Sequence, residues 1–357
     1  MTPTGNSQAT EGSPFSGLPR KEPRRVLYCA IVRRIVRLSR RASAGSVELM
    51  SADSAMPDID RRKNPMLSAL HRARAYLLER QSPGGGFCFY RGYYLEEPNL
   101  SDTWHAVAAL TNLLGVELPA KNCHADFIIG RPIEPQPFAL YYRVRALLAL
   151  GVDDPKSTAV RSAVMALRAH LPDLAMQAPL ADSLQRFECT LWLRRHFDLT
   201  VAVDDLAKTL LQGEHVDGGY GTPPNLLDTE AAIAVLMLCS HTPASRTGEF
   251  LNRMAVPGFG FRLTADSLSP NLETTCAGMA SCCRLGLPIA HARDAVAFVL
   301  SCQTGNGGFA RAADALPDLA LTHLALATLA EHVAPLSLYA ITSARRDAWG
   351  AADERQV

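Results

Sequence analysis

Gln303-Thr-Gly-Asn-Gly-Gly-Phe309, with Pro317-Asp-Leu-Ala-Leu-Thr-His-Leu-Ala-Leu-Ala-Thr-Leu329 after it, has a counterpart far upstream. There the chain reads Gln81-Ser-Pro-Gly-Gly-Gly-Phe87 and then Pro98-Asn-Leu-Ser-Asp-Thr-Trp-His-Ala-Val-Ala-Ala-Leu110. Each copy joins a glutamine, a Gly-Gly-aromatic turn, a proline and a helix of small residues. Two further copies are Asp217-Gly-Gly-Tyr220 with Pro224-Asn-Leu-Leu-Asp-Thr229, and Pro257-Gly-Phe-Gly-Phe261 with Pro270-Asn-Leu-Glu-Thr-Thr275. Two degenerate copies, Gly130 to Pro137 before Phe138, and Ala178-Pro179 before Leu180, fill the gap. The equivalent prolines are 98, 137, 179, 224, 270 and 317, spaced by 39 to 47 residues. A period of that size marks a repeat architecture.

Each unit reads as helix, glycine turn, helix. Ala106, Ala109, Leu110 and Leu113 recur at helical spacing, as do Leu321, Leu324, Ala325 and Thr328. The proline is expected where a helix begins, and the Gly-Gly pair supplies backbone angles that other residues resist. The segments before the turns, such as 67–81 and 292–303, are helical and more charged, which makes them the outer member of each pair. An open stack of hairpins needs polar caps at both ends. Here the terminal copies are the best preserved and the most apolar, so the expectation is an all-α ring, an α6/α6 toroid of six helical hairpin repeats.

The chain has 357 residues, 48% of them hydrophobic, enough for one large core over residues 66–332. Thirty-six Lys and Arg stand against 35 Asp and Glu, and no basic stripe with interleaved aromatics is present, which argues against nucleic acid as a partner. Nine scattered cysteines, several on apolar helix faces, suit free thiols in a reducing cytoplasm. Residues 1–65 differ in kind. Positions 1–19 have a disordered composition, and Arg24 to Arg41 form a basic amphipathic stretch suited to peripheral contact with an anionic membrane surface. The alternative is a start of the domain at Met50, Met56 or Met66. Residues 333–357 read as a C-terminal tail, and the oligomeric state is not legible.

The Gln, Gly-Gly-aromatic and Pro-Asn-Leu-x-x-Thr pattern resembles the repeats of the terpenoid cyclase and protein prenyltransferase superfamily. The resemblance covers about three quarters of the chain and implies inner helices around an apolar cavity that holds an isoprenoid. On it, Gln81, Gln212 and Gln303 take the place of the repeat glutamine, and Phe87, Tyr220 and Phe309 that of its tryptophan. Where the prenyltransferase branch carries zinc ligands, this chain has Asn271 with Glu273, and Leu321, so no metal is expected at that place. A divalent cation enters only if a diphosphate is bound.

The cyclase branch is similar at Asn99-Leu-Ser-Asp-Thr103, Asn225-Leu-Leu-Asp-Thr229, Asn271-Leu-Glu-Thr-Thr275 and Asp318-Leu-Ala-Leu-Thr322. The resemblance makes Glu273, Asp102 and Asp228 the candidate catalytic acids, because a carboxyl buried in an apolar cavity holds its proton and can donate it. Asp102 and Asp228 equally suit the first turn of a helix. Candidate substrate-binding residues are Trp104, His105, Tyr141, Tyr142, Trp192, Asn225, Arg262, Asn271 and His323, the aromatic faces being able to steady a carbocation. These features imply a zinc-independent, acid-initiated cyclase-like enzyme. The alternatives are a prenyltransferase acting on a small acceptor, with diphosphate held by Arg262, Arg143 or Arg145, and a non-catalytic toroid that binds a lipid or a protein.

Overall fold

A computed structural model describes residues 65–90, 96–152, 157–167, 180–199 and 203–331. The basic Arg24–Arg41 stretch, the C-terminal tail and the Ala178-Pro179 copy signal lie outside the described residues. In chain order the helices are α1 (Pro65–Leu78), α2 (Leu100–Val107, running on as a π turn over Ala108–Leu113), α3 (Lys121–Gly130), α4 (Pro137–Ala149), α5 (Thr158–Ala166) and α6 (Leu180–His196). They continue as α7 (Asp204–Gln212), α8 (Leu226–Leu238), α9 (Ser245–Met254), α10 (Leu272–Leu285), α11 (Ala292–Ser301) and α12 (319–331). Each even-numbered helix from α2 to α10 packs against the next even-numbered one in that series, and the odd-numbered helices back them from outside. Extended pairing among the described residues is confined to single bridges in the turns, such as Gln81 with Phe87 and Gln303 with Phe309.

The Pro-Asn-Leu-x-x-Thr words are helix starts. Asn99, Asn225 and Asn271 are N-caps whose side chains accept from the backbone N–H of Asp102, Asp228 and Thr274, and Asp318 accepts likewise from Leu321. Such a cap is worth about 1 kcal/mol. Pro98, Pro224, Pro270 and Pro317 therefore stand one residue before the cap, and Pro137 lies inside a first turn. The repeat threonine ties helix to turn. Thr103, Thr229 and Thr322 donate to the carbonyls of Asn99, Asn225 and Asp318 and accept from the backbone N–H of Phe87, Tyr220 and Phe309 at 3.0 Å. The turn aromatics are thereby buried with their amides satisfied, and Phe87, Tyr220, Phe261 and Phe309 are all within 1% of full burial.

Each Gly-Gly turn docks on the next outer helix. The backbone at Gly85 presses on the carbonyl of Cys123 in α3 while Phe127 covers Gly86; Gly218 presses on the carbonyl of Arg246 in α9 while Phe250 covers Gly219. The last turn repeats this on the first helix: Gly307 presses on the carbonyl of Arg72 in α1, and Tyr76, four residues on, covers Gly308. Tyr76 also donates to the Pro317 carbonyl at 3.1 Å, and Gln303 Nε2 donates to the Ala69 carbonyl at 2.8 Å. The ring is closed by the interaction that joins its neighbours.

The glutamine slot carries one correction. Counting six residues back from the turn aromatic gives Gln81, Gln303 and, in the fourth repeat, Glu214 rather than Gln212. Gln81 contacts His124 of α3, Gln303 contacts Arg72 of α1, and Glu214 accepts from Arg246 at 2.9 Å and from Thr247 at 3.1 Å in α9. Gln212 is the exposed last residue of α7.

Gly307 has φ of +95°, and a Cβ there would lie 2.4 Å from the Arg72 carbonyl oxygen, whereas a Cβ at Gly305 would meet nothing within 4 Å. Gly307→Ala is expected to lower unfolding free energy in a urea titration by at least about 2 kcal/mol. Gly305→Ala should change it by less than about 0.5 kcal/mol.

Candidate functional site

Six of the nine residues proposed to bind substrate come together on four inner helices. Trp104 and His105 stand on α2, Tyr141 and Tyr142 on α4, Trp192 on α6 and His323 on α12. The rings meet edge to face: Trp104 with Tyr141 at 6.3 Å between centroids, Trp104 with His323 at 5.8 Å, and Tyr141 with Trp192 at 5.2 Å. Arg145, one turn along α4 from Tyr141, places its guanidinium over three of them. It lies 4.7 Å from Trp104, 5.4 Å from Tyr141 and 5.0 Å from Trp192. No carboxylate among the described residues forms an ion pair with Arg145. Its neighbour Arg143 is spent on structure, donating to the carbonyls of Ile129, Arg131 and Pro132.

His105 and His323 face one another across α2 and α12 with their Nδ1 atoms 3.0 Å apart. Burial lowers the pKa of His105 to about 4. Burial, then the charges of His105 and Arg145, lower that of His323 to about 3. Burial also raises the pKa of the Tyr142 hydroxyl beside His105. Both histidines are therefore neutral near pH 7.

A second cluster centres on α10 and α8 and draws on α6 and α12. Arg284 of α10 is ion-paired with Glu230 of α8, and the carboxylates of Glu188 on α6 and Glu331 on α12 add to the negative field around it. Desolvation works against the Arg284 charge, but the charges of Glu230, Glu188 and Glu331 and the Glu230 hydrogen bond together raise the pKa. Glu230 is not among the sequence candidates, yet its position carries a signal: the residue after the repeat threonine is Trp104, Glu230, Cys276 and His323 in successive intact copies.

The three expected acids take other partners. Glu273 is half-buried and its carboxylate is ion-paired with Arg311, so the expected buried, uncharged donor is not what the structure shows there. Asp228 is 5% exposed and works as a latch, accepting from Asn225 Nδ2 and from the Ala181 backbone N–H, each at 2.6 Å. Asp102 accepts from Asn99 Nδ2 at 2.7 Å. Burial raises its pKa, opposed by the Asn99 side chain and the Phe89 backbone. Of the remaining binding candidates, Asn225 and Asn271 are helix caps, and Arg262 donates to the Arg253 carbonyl at 3.0 Å. The described residues hold no group of three His, Cys, Asp or Glu side chains placed to share a metal ion, so they do not fit a zinc centre.

A family model for the prenyltransferase alpha-alpha toroid domain matches residues 136–337. Among solved structures, Candida albicans protein geranylgeranyltransferase-I complexed with GGPP is similar, with a TM-score of 0.51 and 15% identity over 66% of this chain and 84% of that one. At that identity the likeness is one of fold. No curated relative matches the sequence.

The histidine pair has a stability signature. Both folded-state values lie below the usual 6.5, so as pH falls the unfolded chain takes up protons first, and stability present above pH 6.5 is lost toward pH 4. Urea titrations at pH 7 and pH 5 should show wild type losing more stability than a His105→Gln/His323→Gln variant, by about 1–2 kcal/mol per histidine. Equal losses would mean that the rings are not held neutral by burial.

Proposed function

The chain belongs to the prenyltransferase alpha-alpha toroid family, and we propose that it binds a prenyl diphosphate against the aromatic cluster of α2, α4 and α6 and carries out a cyclase-like reaction through a carbocation. The observation that carries this reading is Arg145, whose guanidinium lies over Trp104, Tyr141 and Trp192 and forms no ion pair with a carboxylate of the described residues. A guanidinium carries five N–H donors in a planar fork that suits a phosphate oxygen pair. The same rings offer apolar surface to a polyene and a negative quadrupole face to an allylic cation. A structural neighbour complexed with GGPP supports an isoprenoid as the ligand class. A divalent cation arriving with the diphosphate belongs to the substrate.

The reaction starts by departure of diphosphate rather than by protonation. Glu273 is paired with Arg311, Asp228 is held as a latch between α8 and the start of α6, and Asp102 accepts from the side chain of its own helix cap Asn99, which speaks against any of the three as a free proton donor over the rings.

Trp104 and Trp192, two of the three tryptophans of the chain, flank Arg145 and report on the site. Titration with geranylgeranyl diphosphate should quench their fluorescence. Arg145→Gln should weaken binding about 10- to 100-fold, the worth of a hydrogen-bonded charge, with little change for geranylgeraniol. Arg262→Gln and Glu273→Gln should leave diphosphate release within about threefold of wild type, since neither group sits in the cluster. Unchanged diphosphate affinity in Arg145→Gln would overturn the reading.

A further inference from the structure

His105 and His323 do no work in the reading above, yet their geometry is restrictive. With Nδ1 atoms 3.0 Å apart, one must carry a hydrogen and donate it to the other. That single bond sets both tautomers. In the neutral pair the donor ring has a bare Nε2, a base, and the acceptor ring carries its own hydrogen on Nε2, an acid. Neither Nε2 has a protein hydrogen-bond partner among the described residues, and neither is shut away from solvent as an unsatisfied buried atom. Both side chains are half-buried.

The surroundings place this device beside the reaction. Trp104 stacks edge-on to His323, and Tyr142 lies beside His105 with centroids 5.6 Å apart. The charged group facing the pair is Arg145 of α4, and the other titratable neighbours are Tyr142 of α4 and the Cys189 thiol of α6, close enough to act on Tyr142. The same three aromatic helices hold the proposed ligand.

We propose that His105 and His323 are catalytic residues forming a two-ring proton relay that removes the terminating proton from the carbocation, giving an olefin. The proposal rests on the prenyl diphosphate reading. When the allylic C–O bond breaks, its electron pair leaves with diphosphate. A carbon next to the resulting cation then gives up a proton to the bare Nε2, and the C–H electron pair becomes a new C=C bond. The Nδ1 hydrogen of that ring passes to the partner Nδ1, and the partner releases its Nε2 hydrogen to water. No oxidant or reductant is needed, and the products are olefin, diphosphate and a proton. A weakly basic imidazole suffices, because a C–H adjacent to a cationic carbon is a far stronger acid than imidazolium.

Two measurements on the full chain test this. Histidine-selective 15N NMR at pH 7 should show one of the two rings protonated at Nδ1 and the other at Nε2; the same tautomer on both rings, or an imidazolium, overturns the relay. Incubation with geranylgeranyl diphosphate should then give diphosphate and olefin from wild type. His105→Ala and His323→Ala should each still quench tryptophan fluorescence and, per diphosphate released, shift product from olefin to alcohol at least tenfold, and added imidazole should restore olefin. Binding and release with an unchanged olefin-to-alcohol ratio overturn the relay alone. No binding by wild type overturns the prenyl diphosphate reading, and the catalytic assignment with it.

Discussion

The structure depends on one backbone contact: a glycine held at positive φ against a carbonyl of the following outer helix. Gly85 on Cys123, Gly218 on Arg246 and Gly307 on Arg72 are the same contact made three times. In each, an aromatic or tyrosyl ring four residues along the outer helix covers the next glycine. Any side chain at these positions would push the turn away from the helix it docks on. The threonine that satisfies the turn aromatic then fixes where the inner helix starts, so the placement of α2, α8 and α12 follows from it. The aromatic cluster is a downstream product of this contact, since Trp104 and His323 directly follow the threonines that make it.

How much of this could be read in the sequence depends on how local each determinant is. Turns, caps and threonines act within about 20 residues of one another, so their words recur and the ring of six hairpins was legible. Gln212 is misleading for a simple reason: the slot six before Tyr220 holds Glu214, which makes an ion pair in place of an amide contact. The acids are a different case. What a carboxylate does depends on its partner, and Glu273 meets Arg311 from the next repeat's loop while Asp228 meets the amide of Ala181, 47 residues earlier. Neither partner is marked in any repeat. The aromatic cluster was legible as a set of residues but not as a cage, because only the fold shows that Arg145 is its centre.

The inner helices are divided electrostatically. One cluster, on α12, α2, α4 and α6, gathers aromatic and imidazole rings around the Arg145 guanidinium. The other centres on Arg284 of α10, countered by Glu230 of α8 and by the added fields of Glu188 on α6 and Glu331 on α12. A repeat architecture would by default make its inner face uniform, and the asymmetry arises at the register position after each threonine, where Trp, Glu, Cys and His alternate. The fold is carried by what the repeats share, and polarity by what they do not.

Closure has a temporal consequence as well. The contacts that seal the ring join residues 231 to 241 positions apart, Arg72 to Gln303 and Tyr76 to Pro317. Every other turn can dock as soon as the next hairpin emerges from the ribosome. The last one has to wait for the whole domain, and until then the face of α1 that carries Arg72 and Tyr76 has no turn to receive. Half of the histidine pair, and the edge of Trp104, remain uncovered for the same interval. Synthesis of this chain therefore produces an open arc first, and the site exists only after the arc's two ends have found each other.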